Sequence, residues 1–355
     1  GAYTVDWGDG VVENFAAGAK AEHNYVYANL TSPVTAAGYK TSIIRVTPQA
    51  GQNLTSVDIT TPHTGAVPAS TKWLDIELRC PRAVDLILGD GTALKPLVQR
   101  ILVREHKSQS LANDFRGCAQ LRSVPLFDTQ NVTNMQSMFQ NAAALTTVPL
   151  FDTRNVTSMQ NMFNGARSLT TVPLFDTRNV TNMNAMFSDA VALTTVPLFD
   201  TQNVTNMSTM FRRVPLLTTV PLFNTQKVTN MASMFSDASS LTAVPLFDTR
   251  NVANMNIMFS GATALLAVPA LNMQSVNTAA ANFILNTPAC TAVETTGMRF
   301  AWGLNASALG AAALNTVFTN LGTASGTQTI TITGNPGAAT CDRTIATAKG
   351  WTVVG

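Results

Sequence analysis

The sequence predicts a repeat solenoid, a stack of like rungs, over most of the chain. Three residue columns predict it, because each recurs along the chain with a constant period of 24. The phenylalanine column is Phe127, Phe151, Phe175, Phe199, Phe223 and Phe247. The proline column is Pro125, Pro149, Pro173, Pro197, Pro221, Pro245 and Pro269. The methionine column is Met135, Met159, Met183, Met207, Met231 and Met255. A globular fold has no need of such a period, whereas stacked rungs require it.

Each rung is interpreted as a short strand, a turn and a short helix. The stretch LTTVPLF is a short extended segment, and its proline suits a strand end. The stretch DTRN favours a turn, since Asp and Asn side chains bond nearby backbone groups. In TNMNAMFSDA, Met183, Met186 and Phe187 are spaced as one face of a helix of about two turns, with Thr181 or Asn182 as N-cap. We therefore interpret the Met and Phe columns as a core ladder rather than a ligand groove.

The repeat also predicts the domain organisation. Phe115 lies one period before Phe139, and Phe283 lies one period after Phe259, so degenerate rungs flank the clear ones. We assign residues 97–288 to a solenoid of about eight rungs and residues 51–96 to a linker and an N-terminal β cap. Residues 289–355 form a small α/β cap, with helix expected in ALGAAALNTVFTNL and RTIATAKG and strand in TQTITITG and WTVV.

The repeat motif V-P-L-F-D-T-x-N-V-T-N-M-x-x-M-F, followed by a small residue and L-T, resembles the BspA-like bacterial surface repeats. The resemblance covers 97–288. It implies a leucine-rich-repeat type of solenoid with a role in adhesion at bacterial surfaces, and similar repeats appear in phage-encoded proteins. Family repeats often carry Gly-Cys after the Met-Phe pair, and here Gly117-Cys118 keeps it. The later rungs have Ala142, Ala166, Ala190, Val214, Ala238 and Ala262, so Cys118 is expected in a core column.

Residues 1–50 carry a second motif. YTVDWGDG, with His23-Asn24-Tyr25 after it, resembles a PKD-like domain, which implies an immunoglobulin-type β-sandwich over residues 1–50. Few residues precede Trp7, so we expect a partial domain whose edge is covered by an upstream segment or a partner chain. Asp6 and Asp9 are weak calcium candidates, but a hydrogen-bonded turn is the favoured interpretation.

Composition excludes several functional classes. The net charge is +2 and 12% of the 355 residues are charged, too balanced for a nucleic-acid footprint. Apolar runs stay below the roughly 18 residues of a membrane span. The cysteines are Cys80, Cys118, Cys290 and Cys341, with no C-x-x-C pair to favour zinc. A disulfide between Cys290 and Cys341, or free thiols, both stay open.

The sequence offers no motif for catalysis. His23, His63 and His106 lack a nucleophile partner or metal-ligand spacing, and no phosphate loop follows a strand. Carboxylates recur as a turn column rather than as a singular pair. We expect a non-enzymatic protein without a cofactor or bound metal.

One polar column provides the candidate binding residues. Two positions after each turn Asp stand Gln or Arg residues, which form a ladder beside the Asp ladder. Either they form a solvated face on which Arg and Asp neutralise each other, or they form a strip that contacts a glycan or protein. The candidates are Arg154, Arg178, Arg212, Arg213, Lys227 and Arg250, with Arg212 and Arg213 forming a local basic spot.

Two functions fit this organisation. The first is a structural or adhesive bacteriophage virion component, such as a tail fibre, spike or decoration protein. The second is a bacterial cell-surface adhesin of the BspA-like class. Both place the protein outside the cell, with a host surface glycan or protein, or neighbouring structural proteins, as partner. Both leave homo-oligomerisation open.

Overall fold

The computed structural model describes residues 2–7, 9–19, 21, 45–50 and 108–355. It also gives the backbone of four strands at 56–58, 75–79, 85–87 and 100–104. The predicted His23-Asn24-Tyr25 motif, Cys80, His63 and His106 lie outside these residues.

The regular elements lie mainly at the two ends of the chain. In order they are β1 Tyr3–Asp6, β2 Val12–Phe15, β3 Arg45–Pro48, β4 Ser56–Asp58, β5 Asp75–Arg79, β6 Asp85–Ile87, β7 Arg100–Arg104, β8 Ala267–Val268, β9 Ala280–Thr287, β10 Ala292–Val293, β11 Trp302–Ser307, α1 Ala311–Asn320, β12 Gln328–Thr331, α2 Thr344–Thr347 and β13 Trp351–Val354. Strands β4 and β6 pair in parallel, as do β5 and β7.

The N-terminal strands form a small antiparallel sheet in the order β2-β1-β3. The side chains of Val5, in β1, and of Trp7, directly after β1, are buried. The Trp7 indole Nε1 donates a hydrogen bond of 2.7 Å to Glu13 Oε2, and the Tyr3 and Phe15 rings stack with centroids 5.4 Å apart. The DWGDG segment therefore connects two paired strands, as the turn interpretation expects.

The repeats stack in parallel, with each position paired to the same position of the neighbouring rung. Asn182 forms a parallel bridge with Ser158 in the rung before and with Asn206 in the rung after, and the same column of bridges runs from Ser110 to Asn254. Each rung thus repeats the backbone contacts of its neighbour. The repeat solenoid predicted from the sequence is confirmed.

The prediction of a short helix in each rung is wrong. Across residues 108–264, all of which the structure describes, the Met-Phe segment is a run of hydrogen-bonded turns. The N–H groups of Met183, Ala185, Phe187 and Asp189 donate to carbonyls of the next rung, while that of Met186 bonds three residues back, to Met183. Ala185 and Asp189 have φ of 53° and 59°, in the left-handed region. An α-helix needs negative φ throughout, so bonding to the next rung replaces helical bonding.

The LTTVPLF segment is extended but is not a paired strand. Its proline has no N–H to donate. The N–H of Phe175 instead donates to Pro173 O at 3.0 Å, closing a three-residue turn centred on Leu174. This turn directs successive side chains to opposite sides: Phe175 is 2% exposed and Leu174 59%.

Two phenylalanine columns form the core. The rings of Phe163, Phe187 and Phe211 stack at centroid distances of 5.7 and 5.8 Å and within 6° of parallel. Phe199, from the second column, packs 6.3 Å from Phe187. Phe187 has no exposed surface, and Cys118 lies buried in the small-residue column. The predicted core ladder and the place of Cys118 are confirmed.

At the C-terminal end of the phenylalanine ladder the chain forms a four-stranded parallel sheet in the order β13-β12-β11-β9, and β9 contains the last ring, Phe283. The ladder ends where Phe283 meets Phe259 edge-on at 88° and then packs against Trp302. Helix α1 and strands β12 and β13 lie within the stretches predicted to be helix and strand. Lys349 Nζ donates to Leu321 O at 2.8 Å, a carbonyl at the end of α1.

Cys290 and Cys341 are both free thiols, which answers the question the sequence left open. Cys290 is fully buried, and burial raises the pKa of its thiol to about 11.

Candidate functional site

The predicted polar column forms ion pairs within single rungs. Arg178 Nε donates to Asp176 Oδ1 at 2.9 Å, and Arg154 and Arg250 do the same to Asp152 and Asp248. The arginine side chains are 64–68% exposed and their aspartates about one-third exposed. The outer face therefore carries three exposed guanidinium groups, each held by its own carboxylate.

The aspartates also shape the turn. Asp176 Oδ1 accepts the backbone N–H of Arg178 at 3.3 Å, as the turn predicted in the DTRN stretch requires. The hydrogen bond from the Arg178 side chain lowers the pKa of the Asp176 carboxyl, and Arg250 does the same to Asp248. These carboxylates therefore accept hydrogen bonds both from an arginine side chain and from the backbone.

Two side-chain ladders fix the backbone that carries these pairs. The buried Thr177 hydroxyl donates to Asp200 O of the next rung at 2.7 Å. Asn179 Nδ2 donates to Arg154 O of the preceding rung at 2.7 Å. Both contacts recur along the stack, so the exposed arginines project from a backbone held from both sides.

The remaining members of the column differ. Gln130 and Gln202 bond their own aspartates, at 3.1 and 3.3 Å. In the rung where Asn224 replaces Asp, Lys227 Nζ reaches Asn203 Oδ1 at 2.7 Å. Lys227 is thus an exposed cation whose polar partner is a neutral amide of the preceding rung.

The structure places carboxylates beside Arg213, one of the two arginines of the basic spot expected from the sequence. Arg213 lies between two carboxylates, 3.6 Å from Asp189 and 3.8 Å from Asp237, in the rungs before and after. These three residues occupy one column because they are one period apart, and each has a left-handed backbone. Arg212 is half-buried. Stacking therefore brings two carboxylates within 4 Å of Arg213, an arrangement that a single repeat does not reveal.

The acidic candidates at the N-terminus fit a turn. Asp9 Oδ1 accepts the N–H of Val11 at 3.2 Å, and the N–H of Trp7 bonds Val11 O at 3.0 Å. Asp6 belongs to β1. Among the residues that the structure describes, no three His, Cys, Asp or Glu side chains meet as metal ligands.

A column of exposed leucines is the surface that sequence reasoning missed. It comprises Leu126, Leu150, Leu174, Leu198, Leu222 and Leu246, which are 58–64% exposed. We call it the leucine stripe. The P-L-F spacing could have revealed it, because the buried Phe follows each Leu directly and the two side chains lie on opposite sides of the turn.

The comparisons with known proteins agree with the repeat. The family model described as "Mycoplasma protein of unknown function, DUF285" matches residues 109–212 and 194–290, which together span just over half of the chain. The chain belongs to the DUF285 family. The DUF285 matches cover the rungs with the phenylalanine ladder and all six leucines of the stripe.

Solved structures add little to the DUF285 assignment. The crystal structure of a TLR13–ssRNA13 complex is similar over 79% of this chain and 40% of that chain, at 12% identity and a TM-score of 0.30. The chain thus spans less than half of that protein, and the solenoid assignment rests on the rung contacts. No curated protein matches significantly. Within the described residues, no helix is long and apolar enough to cross a bilayer.

Proposed function

We propose that this DUF285 protein is a non-enzymatic adhesion or structural protein on an outer surface, most plainly a bacteriophage virion component such as a tail fibre, spike or decoration. It presents the outer face of its solenoid to a host glycan or protein, or to neighbouring structural proteins. The observation that carries the proposal is the row of exposed arginines, Arg154, Arg178 and Arg250, on a backbone held by ladders.

The physical support is repetition. Each guanidinium keeps donors free for a ligand, because its aspartate occupies only part of its five-donor fork. A single exposed polar contact contributes little. Contacts repeated at whole-rung intervals on one face add through multivalency, which suits a ligand that is itself repetitive, such as a surface polysaccharide.

The alternative is a bacterial cell-surface adhesin of the BspA-like class. One observation favours it: the matching family is described from Mycoplasma, a cellular source. The virion is supported by the sequence IATAKGWTV, which resembles endings of phage and Bacteroidetes proteins that bear these repeats. Both settings are extracellular and use the same face.

Two finer assignments belong to this proposal. We assign the rungs to the leucine-rich-repeat type, supported by the BspA-like motif and the DUF285 match. We assign residues 1–50 to a PKD-like domain, supported by the DWGDG turn and the antiparallel β2-β1-β3 sheet. A PKD-like module in series with a solenoid makes a spacer that carries the binding face away from its anchor.

The test is binding of the purified protein to host envelope fractions, with and without enzymatic removal of surface glycans. Wild-type protein should bind, and replacement of Arg154, Arg178 and Arg250 together by Ala should weaken binding at least tenfold. Loss of binding after glycan removal identifies the partner as a glycan, and retained binding identifies it as a protein.

The matched control replaces three exposed arginines outside the column, Arg122, Arg167 and Arg299, by Ala. It removes the same charge, so it should bind as the wild type does. Equal losses of binding in the two triple variants would show that binding depends on net charge and not on the arginine column. Absence of binding to every envelope fraction would exclude the adhesive role and leave the structural role. Neighbouring genes for tail or capsid proteins would support that structural role.

A further inference from the structure

The leucine stripe is an apolar surface built into the repeat. Its six side chains, each close to 60% exposed, lie at one position of six consecutive rungs. Together they present on the order of several hundred Å² of contiguous apolar surface, the range that marks an interaction site. Isolated exposed leucines are ordinary, but an unbroken row at constant spacing is not.

The exposure of the stripe is fixed by the backbone. Five of the leucines, from Leu150 to Leu246, are centres of three-residue turns closed by a bond from the following Phe N–H to the preceding Pro carbonyl, as at Phe199 and Pro197, 3.0 Å apart. The buried Phe anchors one side of the turn. Because the leucine cannot turn inward without displacing that Phe, the stripe is held out in advance of any partner, and ordering it on binding costs little.

The spacing of the stripe selects its occupant. A partner that contacts all six leucines must repeat at the same interval as the rungs, or it loses register after two or three of them. The chain itself has that interval. A second copy can therefore pack leucine against leucine along the whole stripe, in a closed two-fold contact that uses the same patch on both subunits.

The flanks of the stripe permit such pairing. On one side lie exposed threonines such as Thr171 and Thr195, and on the other lie the Asp–Arg pairs such as Asp176–Arg178. The threonines are uncharged, and each Asp–Arg pair is neutral within its own rung. In the other rungs Asp128 and Asp200 stand beside glutamines, and Lys227 offsets one of these two charges, so the flank is close to neutral and two copies meet with little like-charge repulsion.

The area of the surface fits a dimer. A standard interface buries about 800 Å² per partner. The six leucines alone present on the order of several hundred Å² of this, and the half-buried prolines and adjoining threonines add to it. The centre is more apolar than the rim, as in homodimer interfaces.

We propose that the protein forms a homodimer through the leucine stripe. This inference does not depend on the proposed surface function, because it concerns a different column of the rung and a different partner.

The experiment is sedimentation equilibrium and light scattering on the full chain across low to high micromolar concentrations. The expected wild-type mass is twice the 37.7 kDa of the chain. Replacing Leu174 and Leu198 together by Asp places charges at the middle of the stripe and should yield monomer, with a dissociation constant raised at least a hundredfold. The uncharged pair Leu174→Gln and Leu198→Gln should weaken the dimer in the same direction.

The control replaces two exposed apolar residues outside the stripe, Val191 and Leu216, by Asp; they are 38% and 51% exposed. This variant should remain dimeric. Circular dichroism and thermal unfolding check that all variants stay folded. Wild-type protein that is monomeric at every concentration overturns the proposal and leaves the stripe to a different occupant. A dimer that survives both stripe variants, or that the control variant also dissociates, overturns it as well.

Discussion

The hydroxyl of Thr177 donates to the backbone carbonyl of Asp200, 2.7 Å away in the next rung, and both the threonine and the contact recur along the stack. Replacing Thr177 by Val keeps the shape but removes the donor to Asp200 O. The free energy of unfolding should fall by about 0.5–1.5 kcal/mol, because the hydrogen bond between the buried hydroxyl and the Asp200 carbonyl is lost. Urea titration measures it. The same change at exposed Thr171 should alter stability by less than about 0.5 kcal/mol, and equal losses would contradict the ladder's role.

Replacing Phe187 by Ala should lower the free energy of unfolding by about 3–5 kcal/mol, because it removes a fully buried ring and leaves a cavity in the ladder. Replacing exposed Arg178 by Ala should cost well under about 1 kcal/mol. Denaturant titration of the two variants compares these losses directly. Similar values would show that the ring column is not the core.

Replacing Ser233 by Gly should stabilise the protein. Its φ is 54°, a region that costs a non-glycine residue about 1–2 kcal/mol, whereas glycine adds unfolded-state entropy worth about 0.4–1 kcal/mol. The expected net gain is about 0.5 kcal/mol, from the difference of those ranges. Ser240, also half-buried but outside the left-handed region, provides the control, since glycine there should destabilise. Thermal unfolding separates the two signs.

The Asp–Arg pairs predict an acid dependence of stability. Hydrogen bonds from Arg178 and Arg250 lower the pKa of Asp176 and Asp248. A lowered carboxyl pKa contributes stability that is fully present above the ordinary Asp pKa of about 4 and is lost as the pH falls through the lowered value. The contribution is small because the pairs are exposed.

Replacing Asp176 and Asp248 together by Asn keeps an acceptor for the turn but removes the titration. The unfolding free energy of this variant, followed from neutral to acid pH, should fall less steeply than that of the wild type. The double variant Arg178→Ala and Arg250→Ala should flatten the curve in the same way. An unchanged acid slope in both would show that the pairs do not contribute.

The thiol of Cys290 should be inert in the folded protein. It has no exposed surface, and burial raises its pKa to about 11, so the reactive thiolate is scarce at neutral pH. Alkylation by iodoacetamide, followed by peptide mass spectrometry, should label partly exposed Cys341 first and Cys290 only after unfolding. Labelling of both at one rate in native protein would contradict the burial.

The sequence predicts the stack because the constant period and the recurring Phe residues are visible in the order of the residues. It does not predict the backbone path of the Met-Phe segment. Met183, Met186 and Phe187 have helical spacing, but the same spacing suits turns whose alternate N–H groups bond the next rung. The left-handed backbone at Ala185 and Thr209 cannot be predicted from the sequence, because neither alanine nor threonine favours that conformation.

The sequence also predicts only part of the candidate site, namely the contacts that form within one rung. Contacts within one rung, such as Arg178 with Asp176, follow from two neighbouring letters. Contacts between rungs require residues one period apart to be compared across the stack, and this comparison reveals Arg213 between Asp189 and Asp237. The exposed leucines escape notice because an apolar residue in an apolar run is ordinarily assigned to the core.

The bridges from Asn182 to Ser158 on one side and to Asn206 on the other mean that every junction between rungs repeats the same backbone contacts. Copying or excising one whole repeat in the gene joins two surfaces that already fit, whereas a segment of any other length would shift every column out of line. The reach of the molecule can therefore lengthen or shorten by recombination in whole steps, without a new junction having to evolve.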